Sequence, residues 1–161
     1  MLEQMMRKNH GFTLIELMVI AAIIGVLTAI AIPSLTESMA RRRLEGVANE
    51  LSADFQFTKS HAASINKAVK IVTTANGYVI SNNDATPVVY KNITLDSKIS
   101  LTSGITITFD PYRDFASAAN NASNITIAHT QTTAQLEIRV SNTGVVNLCS
   151  PSGSFGGYKS C

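Results

Sequence analysis

A long apolar run near the N-terminus limits what this chain can fold into more than any other feature does. From Phe12 to Ile32, a stretch of 21 residues, the only ionisable side chain is that of Glu16. As a helix rising ~1.5 Å per residue, the run would be about 31 Å long, close to the ~30 Å hydrocarbon core of a bilayer. A helix buried in a globular core rarely needs so long a run. The sequence therefore predicts one membrane-spanning helix.

The short segment before this run predicts its orientation. Residues 1–11 carry Arg7 and Lys8, and positive charge beside the start of a span keeps that end in the cytoplasm. We therefore expect a single-pass protein whose N-terminus is cytoplasmic and whose remaining chain is extracytoplasmic. The alternative is a secretory signal peptide cut after Ala29-Ile30-Ala31, but its apolar region would be shorter, roughly 7–15 residues.

Glu16 is the unusual residue of the span. An ionised side chain in hydrocarbon costs on the order of 3 kcal/mol even on lenient insertion scales, so a charged residue there indicates a function. Neither a signal peptide nor a plain membrane anchor explains a glutamate at this position.

The residues around Glu16 resemble a known processing signal. Gly11-Phe12-Thr13-Leu14-Ile15-Glu16, between a basic leader and an apolar span, is similar to the class III signal of type IV pilins and type II secretion pseudopilins. The resemblance implies that a prepilin peptidase cuts between Gly11 and Phe12 and that the new amine of Phe12 is N-methylated. It also implies that Glu16 is an assembly determinant, because Glu16 of a neighbouring subunit could neutralise this amine in the bacterial inner membrane.

Beyond the span, a helical pattern continues. Apolar positions recur every three or four residues, which predicts one long helix from about Phe12 to Ser64. The residues expected on its buried face are Leu44, Val47, Ala48, Leu51, Phe55, Thr58 and Ala62. Pro33 should kink the helix. Gly25 and Pro33 flank a stretch in which the helix is only weakly favoured. The resemblance implies that this stretch can unwind in a filament.

After Asn66 the hydrophobic period changes from 3.6 to 2, which predicts strands. Asn76-Gly77 predicts a tight hairpin turn, and residues 110–124 are expected to form a loop. The predicted strands span residues 68–74, 78–81, 88–95, 99–102, 105–109, 125–129, 136–140 and 145–148. The resulting fold class is α+β, a type IV pilin fold in which a long N-terminal helix packs on an antiparallel β head.

This layout predicts four segments in a chain of 161 residues. They are a leader peptide (1–11), a transmembrane helix (12–32), a periplasmic amphipathic half of the same helix (33–64) and a β-rich head (65–161). The layout resembles the GspH/FimT branch of minor pilins. The residues that carry this resemblance are Phe55–Ala63 and the Val-rich strand that follows them. The ending Leu136–Asn147, with its strand, Thr-Gly turn and strand, is similar to the end of that branch.

The resemblance implies a structural, non-enzymatic role without a cofactor. The chain would be a FimU- or FimT-like minor pilin that joins or primes a type IV pilus at or near its tip. Its partners would be the prepilin peptidase, other minor pilins and the major pilin, and it would pass from the inner membrane to the pilus at the cell surface. The alternative within the same fold is a minor pseudopilin of the type II secretion system.

A DNA receptor for natural transformation is the alternative from another class. Some FimT-like members bind DNA through a Gly-Arg-x-Arg element, but Gly144 is followed by Val145-Val146-Asn147. Lys159 and Arg139 are the candidate phosphate contacts of this region, and so few cations give little phosphate neutralisation. The formal net charge of +2 gives no global argument for nucleic-acid binding either.

Cys149 and Cys161 are the only cysteines. In an oxidising periplasm two cysteines usually bond, and this bridge would fix a C-terminal segment rich in Gly, Ser and Pro. Free thiols are the alternative. Closing a loop of about 13 residues would stabilise the chain by up to ~3 kcal/mol.

The remaining candidates have unremarkable interpretations. Arg41-Arg42-Arg43 could bind phosphate or lipid headgroups, but we expect these arginines to meet acidic residues of neighbouring subunits or solvent. His10, His61 and His129 lack metal-like spacing and are expected at the surface. Asp110 and Asp114 lack the spacing of a calcium loop. No nucleophile lies beside a base in the sequence, so we expect neither a metal site nor a catalytic site.

Overall fold

The computed structural model describes residues 11–112, 115–118 and 124–161, with residues 115–118 described by their backbone alone. The predicted leader, apart from Gly11, lies outside these residues, and so do His10 and Asp114. The chain divides into two units, residues 1–36 and 37–161.

A single helix, α1, runs from Leu14 to Ile65 and contains Pro33. Its bounds lie within two residues of the predicted ones. The helix ends because Asn66 adopts a left-handed conformation with φ 55°, and the amide of Lys67 donates to the carbonyl of Ala62 at 3.2 Å. This is the Schellman type of helix end.

The N-terminal unit consists of the first part of α1. Among the described residues, α1 is the one helix long and apolar enough to cross a membrane, and its most apolar 18-residue window has a mean hydropathy of 2.6 with none of its surface buried. Apolar side chains therefore point outward on every side of this part of α1.

The C-terminal unit, which we call the head, contains the rest of α1 and the strands. Nine strands lie in the described residues: β1 Val69–Thr74, β2 Gly77–Asn82, β3 Val89–Thr94, β4 Ile99–Leu101, β5 Thr106–Asp110, β6 Phe115–Ala118, β7 Asn124–His129, β8 Gln135–Val140 and β9 Val146–Cys149. They form an antiparallel five-stranded sheet, in the order β3-β2-β1-β5-β6, and an antiparallel four-stranded sheet, in the order β4-β7-β8-β9.

The core of the head contains the predicted face of α1. Leu44, Leu51 and Phe55 are fully buried, and the ring of Phe55 meets Phe109 of β5 edge-on with centroids 6.3 Å apart. Val47 is partly buried against the same cluster. The α+β class, with one long helix on antiparallel sheets, is confirmed.

The predicted β1–β2 hairpin forms, with β1 paired to β2 from Val69↔Asn82 to Thr74↔Gly77. Its two turn residues are Ala75 and Asn76, one position earlier than predicted, and Gly77 is the first residue of β2. A side chain at Gly77 would collide with the backbone carbonyl of Ile93 in β3. Glycine is therefore required by a close backbone approach at this turn.

The edge strand β3 contains an irregularity at Tyr90. Lys91 pairs with Ile80 and Val89 pairs with Ser81, so Tyr90 is the extra residue of a β-bulge. Two consecutive side chains of β3 consequently reach α1, because Tyr90 packs against the ring of His61 with centroids 4.5 Å apart while Lys91 bonds to Asp54.

One prediction about the strands needs correction. The predicted loop at residues 110–124 is wrong, because β6 pairs with β5 from Ile107↔Ala118 to Asp110↔Phe115. Its sequence, Phe-Ala-Ser-Ala, has too few branched residues to give a strand signal. The consecutive strands β4 and β5 belong to different sheets, because β4 pairs with β7 whereas β5 pairs with β1.

The prediction that His129 lies at the surface is wrong. Alternate residues of β7 are buried, and His129 follows this phase with 5% of its surface exposed. Its Nδ1 accepts the amide N–H of Gln131 at 3.1 Å. An accepting Nδ1 carries no proton, so this hydrogen bond favours the neutral ring. Burial lowers the pKa of His129, the positive charges of Lys98 and Arg43 lower it further, and Asp96 opposes them.

This shift predicts how stability depends on pH. The folded state disfavours protonation of His129. The stability that the neutral ring of His129 contributes is therefore fully present above the pKa of an unfolded histidine, about 6.5, and is lost as the pH falls below that value. His129→Asn retains an acceptor near the position of Nδ1 and removes the ionisable ring. The free energy of unfolding of this variant, measured with urea at several pH values, should therefore fall less steeply on acidification than that of the unsubstituted protein. The control His61→Asn should keep the steeper fall, and equal slopes in all three proteins would contradict the prediction.

Candidate functional site

The predicted processing motif lies at the beginning of α1. Gly11, Phe12 and Thr13 precede the helix and are exposed, Phe12 with 76% of its surface. The hydroxyl of Thr13 accepts the amide N–H of Glu16 at 3.3 Å, and the carbonyl of Thr13 accepts that of Leu17 at 3.2 Å. Thr13 therefore caps the helix, and Thr-x-x-Glu has the spacing of a capping box.

Glu16 is exposed in the first turn of α1. The unpaired amides of a helix N-terminus carry partial positive charge, which favours an acidic side chain there. Glu16 therefore has a local role in starting the helix, in addition to the assembly role that the resemblance implies. A substitution at Glu16 has to be interpreted with both roles in mind.

Gly25 and Pro33 both lie inside α1. A side chain at Gly25 would meet open space, so packing does not require glycine there. Pro33 cannot donate the hydrogen bond that would reach the carbonyl of Ala29. The hydroxyl of Thr28 bonds the carbonyls of Ile24 and Gly25 at 2.9 and 3.0 Å.

At the other end of the chain, Cys149 and Cys161 form the predicted disulfide, with Cα atoms 5.0 Å apart. The carboxylate of Glu137 lies within 4.8 Å of both sulfurs. Since both sulfurs are consumed in the bridge, neither is available as a thiolate ligand.

The two candidate phosphate contacts have different surroundings. Arg139 donates from Nε to the carboxylate of Glu137 at 2.6 Å and from Nη1 to the carbonyl of Cys161 at 3.4 Å. Lys159 is exposed. Arg139 thus braces the C-terminus against β8, and one of the two predicted cations is already occupied by a carboxylate of its own strand.

Two of the three consecutive arginines form solvent-exposed ion pairs within the chain. Arg41 pairs with Glu37 at 2.6 Å and Arg43 with Asp96 at 3.0 Å. Such exposed pairs contribute about 0–1 kcal/mol each, but they reduce the uncompensated positive charge at this surface.

A buried ionic cluster in the head was missed by the sequence analysis. Asp54 of α1 has 6% of its surface exposed. Its carboxylate accepts Lys91 Nζ at 2.8 and 2.7 Å and the hydroxyl of Tyr78 at 2.7 Å. Glu50, one turn earlier, lies 3.7 Å from the same Nζ. The cluster joins α1 to β2 and β3 at one point.

The cluster also favours the protonated forms of Tyr78 and Lys91. Burial raises the pKa of the Tyr78 hydroxyl, and its hydrogen bond to Asp54 raises it further. The hydrogen bond to Asp54 raises the pKa of Lys91. The signal in the sequence is the position of Asp54, three residues after Leu51 and four before Thr58, on the buried stripe.

Comparison with known proteins shows the family. The prokaryotic N-terminal methylation motif matches residues 6–32. The family described as type II transport protein GspH matches residues 47–144, which is more than half of the chain. The chain therefore belongs to the GspH family of pilin-like proteins and carries the N-terminal motif of type IV prepilins. No solved structure matches the chain at a significant level.

Individual relatives are pilins and fimbrial proteins. The chain is 47% identical to the type IV major pilin protein PilA of Myxococcus xanthus over 53 residues, which are 33% of this chain and 24% of that protein. It is 50% identical to a fimbrial protein of Pseudomonas aeruginosa over 48 residues, 30% of this chain and 31% of the relative. It is 34% identical to fimbrial protein EcpC of Eikenella corrodens over 80 residues, 46% of this chain and 52% of the relative.

The chain thus spans only about a quarter to a third of the length of the first two relatives. The motif and the apolar helix are together consistent with a membrane anchor.

The ionic cluster makes a prediction about stability. Lys91→Met removes the positive partner and leaves the buried carboxylate of Asp54 with the Tyr78 hydroxyl alone, which should lower the free energy of unfolding by about 1–2 kcal/mol. Glu50→Gln is the matched control, because it changes only the more distant and more exposed partner. Urea titration of both variants in detergent measures the difference, and an equal loss in both would contradict the role given to Asp54.

Proposed function

We propose that this chain is a FimU- or FimT-like minor pilin. A prepilin peptidase cuts it between Gly11 and Phe12, and it assembles into a type IV pilus at or near the tip, where it primes polymerisation of the major subunit. The observation that carries the proposal is the apolar part of α1, uncovered on every side and bearing one acidic residue, Glu16, in its first turn.

The chemistry of the motif supports this role. Cleavage before Phe12 would leave a cationic amine at the start of an apolar helix, where an unpaired charge is costly. Glu16 of an adjoining subunit would supply the matching charge, and a paired charge in an apolar setting is tolerated far better than a lone one. Made between two subunits, this contact would favour a polymer.

The head supports a structural role rather than an enzymatic one. Two of its buried carboxylates are engaged within the head: Asp54 bonds to β2 and β3, and Glu137 accepts Arg139 of its own strand. In this proposal the head is an exposed surface for contacts with the next subunits, the minor pilins and the major pilin. The N-terminus faces the cytoplasm before assembly and the head faces the periplasm.

A minor pseudopilin of the type II secretion system is the second candidate. The observation that favours it is the match of residues 47–144 to a family described by a type II transport protein. The two candidates share cleavage, anchoring and filament formation. They differ in the phenotype of a deletion, since loss of surface fibres would support the pilus and loss of protein export would support the secretion system.

A DNA receptor is the candidate with the least support. Phosphate contacts by Lys and Arg provide most non-specific affinity for DNA. Several basic side chains of the head already pair with acidic ones, namely Arg41, Arg43, Lys67, Lys91 and Arg139.

The proposal for Glu16 is tested by substitution. Glu16→Ala should abolish incorporation into sheared surface fibres, measured by immunoblot, while mass spectrometry still finds a mature N-terminus at Phe12 carrying one methyl group. The control Glu37→Ala removes another acidic residue of α1, whose only described ion pair is exposed, and should leave incorporation unchanged. Normal incorporation of the Glu16 variant, or a native chain that retains residues 1–11, would contradict the proposal.

A gel shift with the full chain in detergent tests whether the DNA receptor is the least supported of the three candidate functions. Binding should be no tighter than the non-specific range of about 10⁻⁴–10⁻⁶ M. Val145→Arg combined with Asn147→Arg creates the Gly-Arg-x-Arg element at two exposed positions and should tighten binding in a salt-dependent way. Tight and steeply salt-dependent binding by the unsubstituted chain would make the DNA receptor the better assignment.

A further inference from the structure

Residues 130–133, which we call the connecting loop, follow β7 and are held to its end by hydrogen bonds. The amide of Thr130 donates to the carbonyl of Lys98 at 2.9 Å, and the amide of Thr132 donates to the carbonyl of His129 at 3.3 Å. Between them, the amide of Gln131 donates to Nδ1 of His129 at 3.1 Å. Of these three acceptors, only the imidazole nitrogen takes up a proton near neutral pH.

The hydrogen bond from Gln131 determines where that proton goes. A nitrogen that accepts an N–H offers its lone pair, so the proton of the neutral His129 ring is on Nε2 and Nδ1 carries none. The next proton can therefore bind only at Nδ1. This proton and the amide of Gln131 compete for one lone pair, and once Nδ1 is protonated two N–H donors face each other.

The surroundings of the ring make it difficult to avoid this conflict. His129 has 5% of its surface exposed, and its backbone is paired with Ile99 of β4. The charges of Lys98 and of Arg43 from α1 oppose a positive ring, whereas that of Asp96 favours it. The carboxylate of Asp96 is already engaged, by Arg43 at 3.0 Å and by the amide of Lys98 at 3.1 Å.

The connecting loop also lines a cleft beside α1. Its four residues and Glu37 of α1 surround a cavity of about 470 Å³. Thr133 lines a second cavity of about 160 Å³ together with Arg41 and Phe155. A change in the position of the connecting loop therefore changes the shape of the surface next to this part of α1.

We propose that the hydrogen bond between His129 and Gln131 is an acid-sensitive latch for the connecting loop. While the ring of His129 is neutral, the latch holds the loop at the end of β7. When Nδ1 takes up a proton, the bond breaks and the loop leaves the ring, while the two sheets stay paired. The step is reversible and consumes one proton, so the acidity of the surroundings sets the shape of the cleft at Glu37.

The direction of the pH dependence follows from the environment of His129. Burial lowers the pKa of His129, and Lys98 and Arg43 lower it further. The latch is therefore closed above the ordinary histidine value of about 6.5 and opens as the pH falls through the lower pKa of the folded chain. Because opening takes up one proton, the ratio of closed to open latch should fall by about tenfold for each pH unit below that pKa.

Nitrogen NMR on the full chain in detergent tests the state of the ring. At neutral pH, Nδ1 of His129 should have the chemical shift of an unprotonated nitrogen and Nε2 that of a protonated one. On acidification, the amide signals of Gln131 and Thr132 should move with the same midpoint as the ring signals. A neutral ring that carries its proton on Nδ1 would overturn the proposal.

Hydrogen exchange gives a second readout, with each amide compared with an unstructured peptide at the same pH. The protection of the Gln131 amide should fall by about tenfold per pH unit below the midpoint, whereas the amides of β1 and β2 should keep theirs. His129→Asn retains an acceptor without an ionisable ring, so protection of the Gln131 amide in this variant should not depend on pH.

Thr132→Ala is the matched control within the connecting loop. It removes the hydroxyl that accepts the amide of Ala134 at 3.2 Å, a bond that does not titrate. Protection of the loop amides in this variant should be lower by the same factor above and below the midpoint, so the dependence of the Gln131 amide on pH should persist. Loss of that dependence in Thr132→Ala would show that His129 does not control the loop.

Two further results would overturn the proposal. Unchanged protection of Gln131 and Thr132 at a pH where the ring of His129 is charged would show that the loop stays in place without the bond. Equal loss of protection in the connecting loop, β1 and β2 would show that acid unfolds the head as a whole. Both outcomes are independent of whether the chain serves a pilus or a secretion system.

Discussion

Burial of apolar surface along α1 is the constraint on which this protein depends. In the head, α1 buries a stripe that includes Leu44, Leu51 and Phe55, and the sheets cover it. The N-terminal part of α1 presents apolar side chains on every side with no cover of its own. At about 25 cal/mol per Å² such a surface is strongly unfavourable in water, so this part requires lipid or the helices of other subunits.

The choice between lipid and other subunits cannot be made by the hydrophobic effect alone. Lipid tails and neighbouring apolar helices are about equally apolar, so packing and polar contacts decide association within a membrane. Glu16 is the one ionisable side chain of the span. The helix cap at Thr13 fixes the position of this charge in the first turn of α1, and the proposed assembly role depends on that position.

The sequence predicted what depends on periodicity and on motifs. The span of α1, its buried stripe, the hairpin at Gly77 and the disulfide follow from spacing, turn chemistry and cysteine count, and the structure agrees with each. The processing motif was identified from Gly11, Phe12 and Glu16 because leader charge, motif and apolar run occur together. The match to the methylation motif over residues 6–32 supports that identification.

What the sequence did not reveal depends on partners distant along the chain. Asp54 can be buried only because Lys91 and Tyr78, on two different strands, bond to its carboxylate. The hydrophobic periodicity of the sequence cannot reveal contacts of this kind. His129 is inside because β7 is covered on that face, although a histidine at a strand end suggests exposure. Strand β6 forms because its backbone pairs with the edge of β5. The contacts of Phe155 with Arg41 and of Tyr158 with Asn49 likewise join residues that are far apart in the sequence.

The bulge at Tyr90 has a consequence for how such molecules avoid unwanted association. Strand β3 is the outermost strand of its sheet, and an uninterrupted outer strand is a template on which another chain can add its own. The extra residue twists this border and breaks its regular ladder, while the ring of Tyr90 turns inward onto His61. An uninterrupted border strand would risk joining sheet to sheet with another copy and forming amyloid-like aggregates.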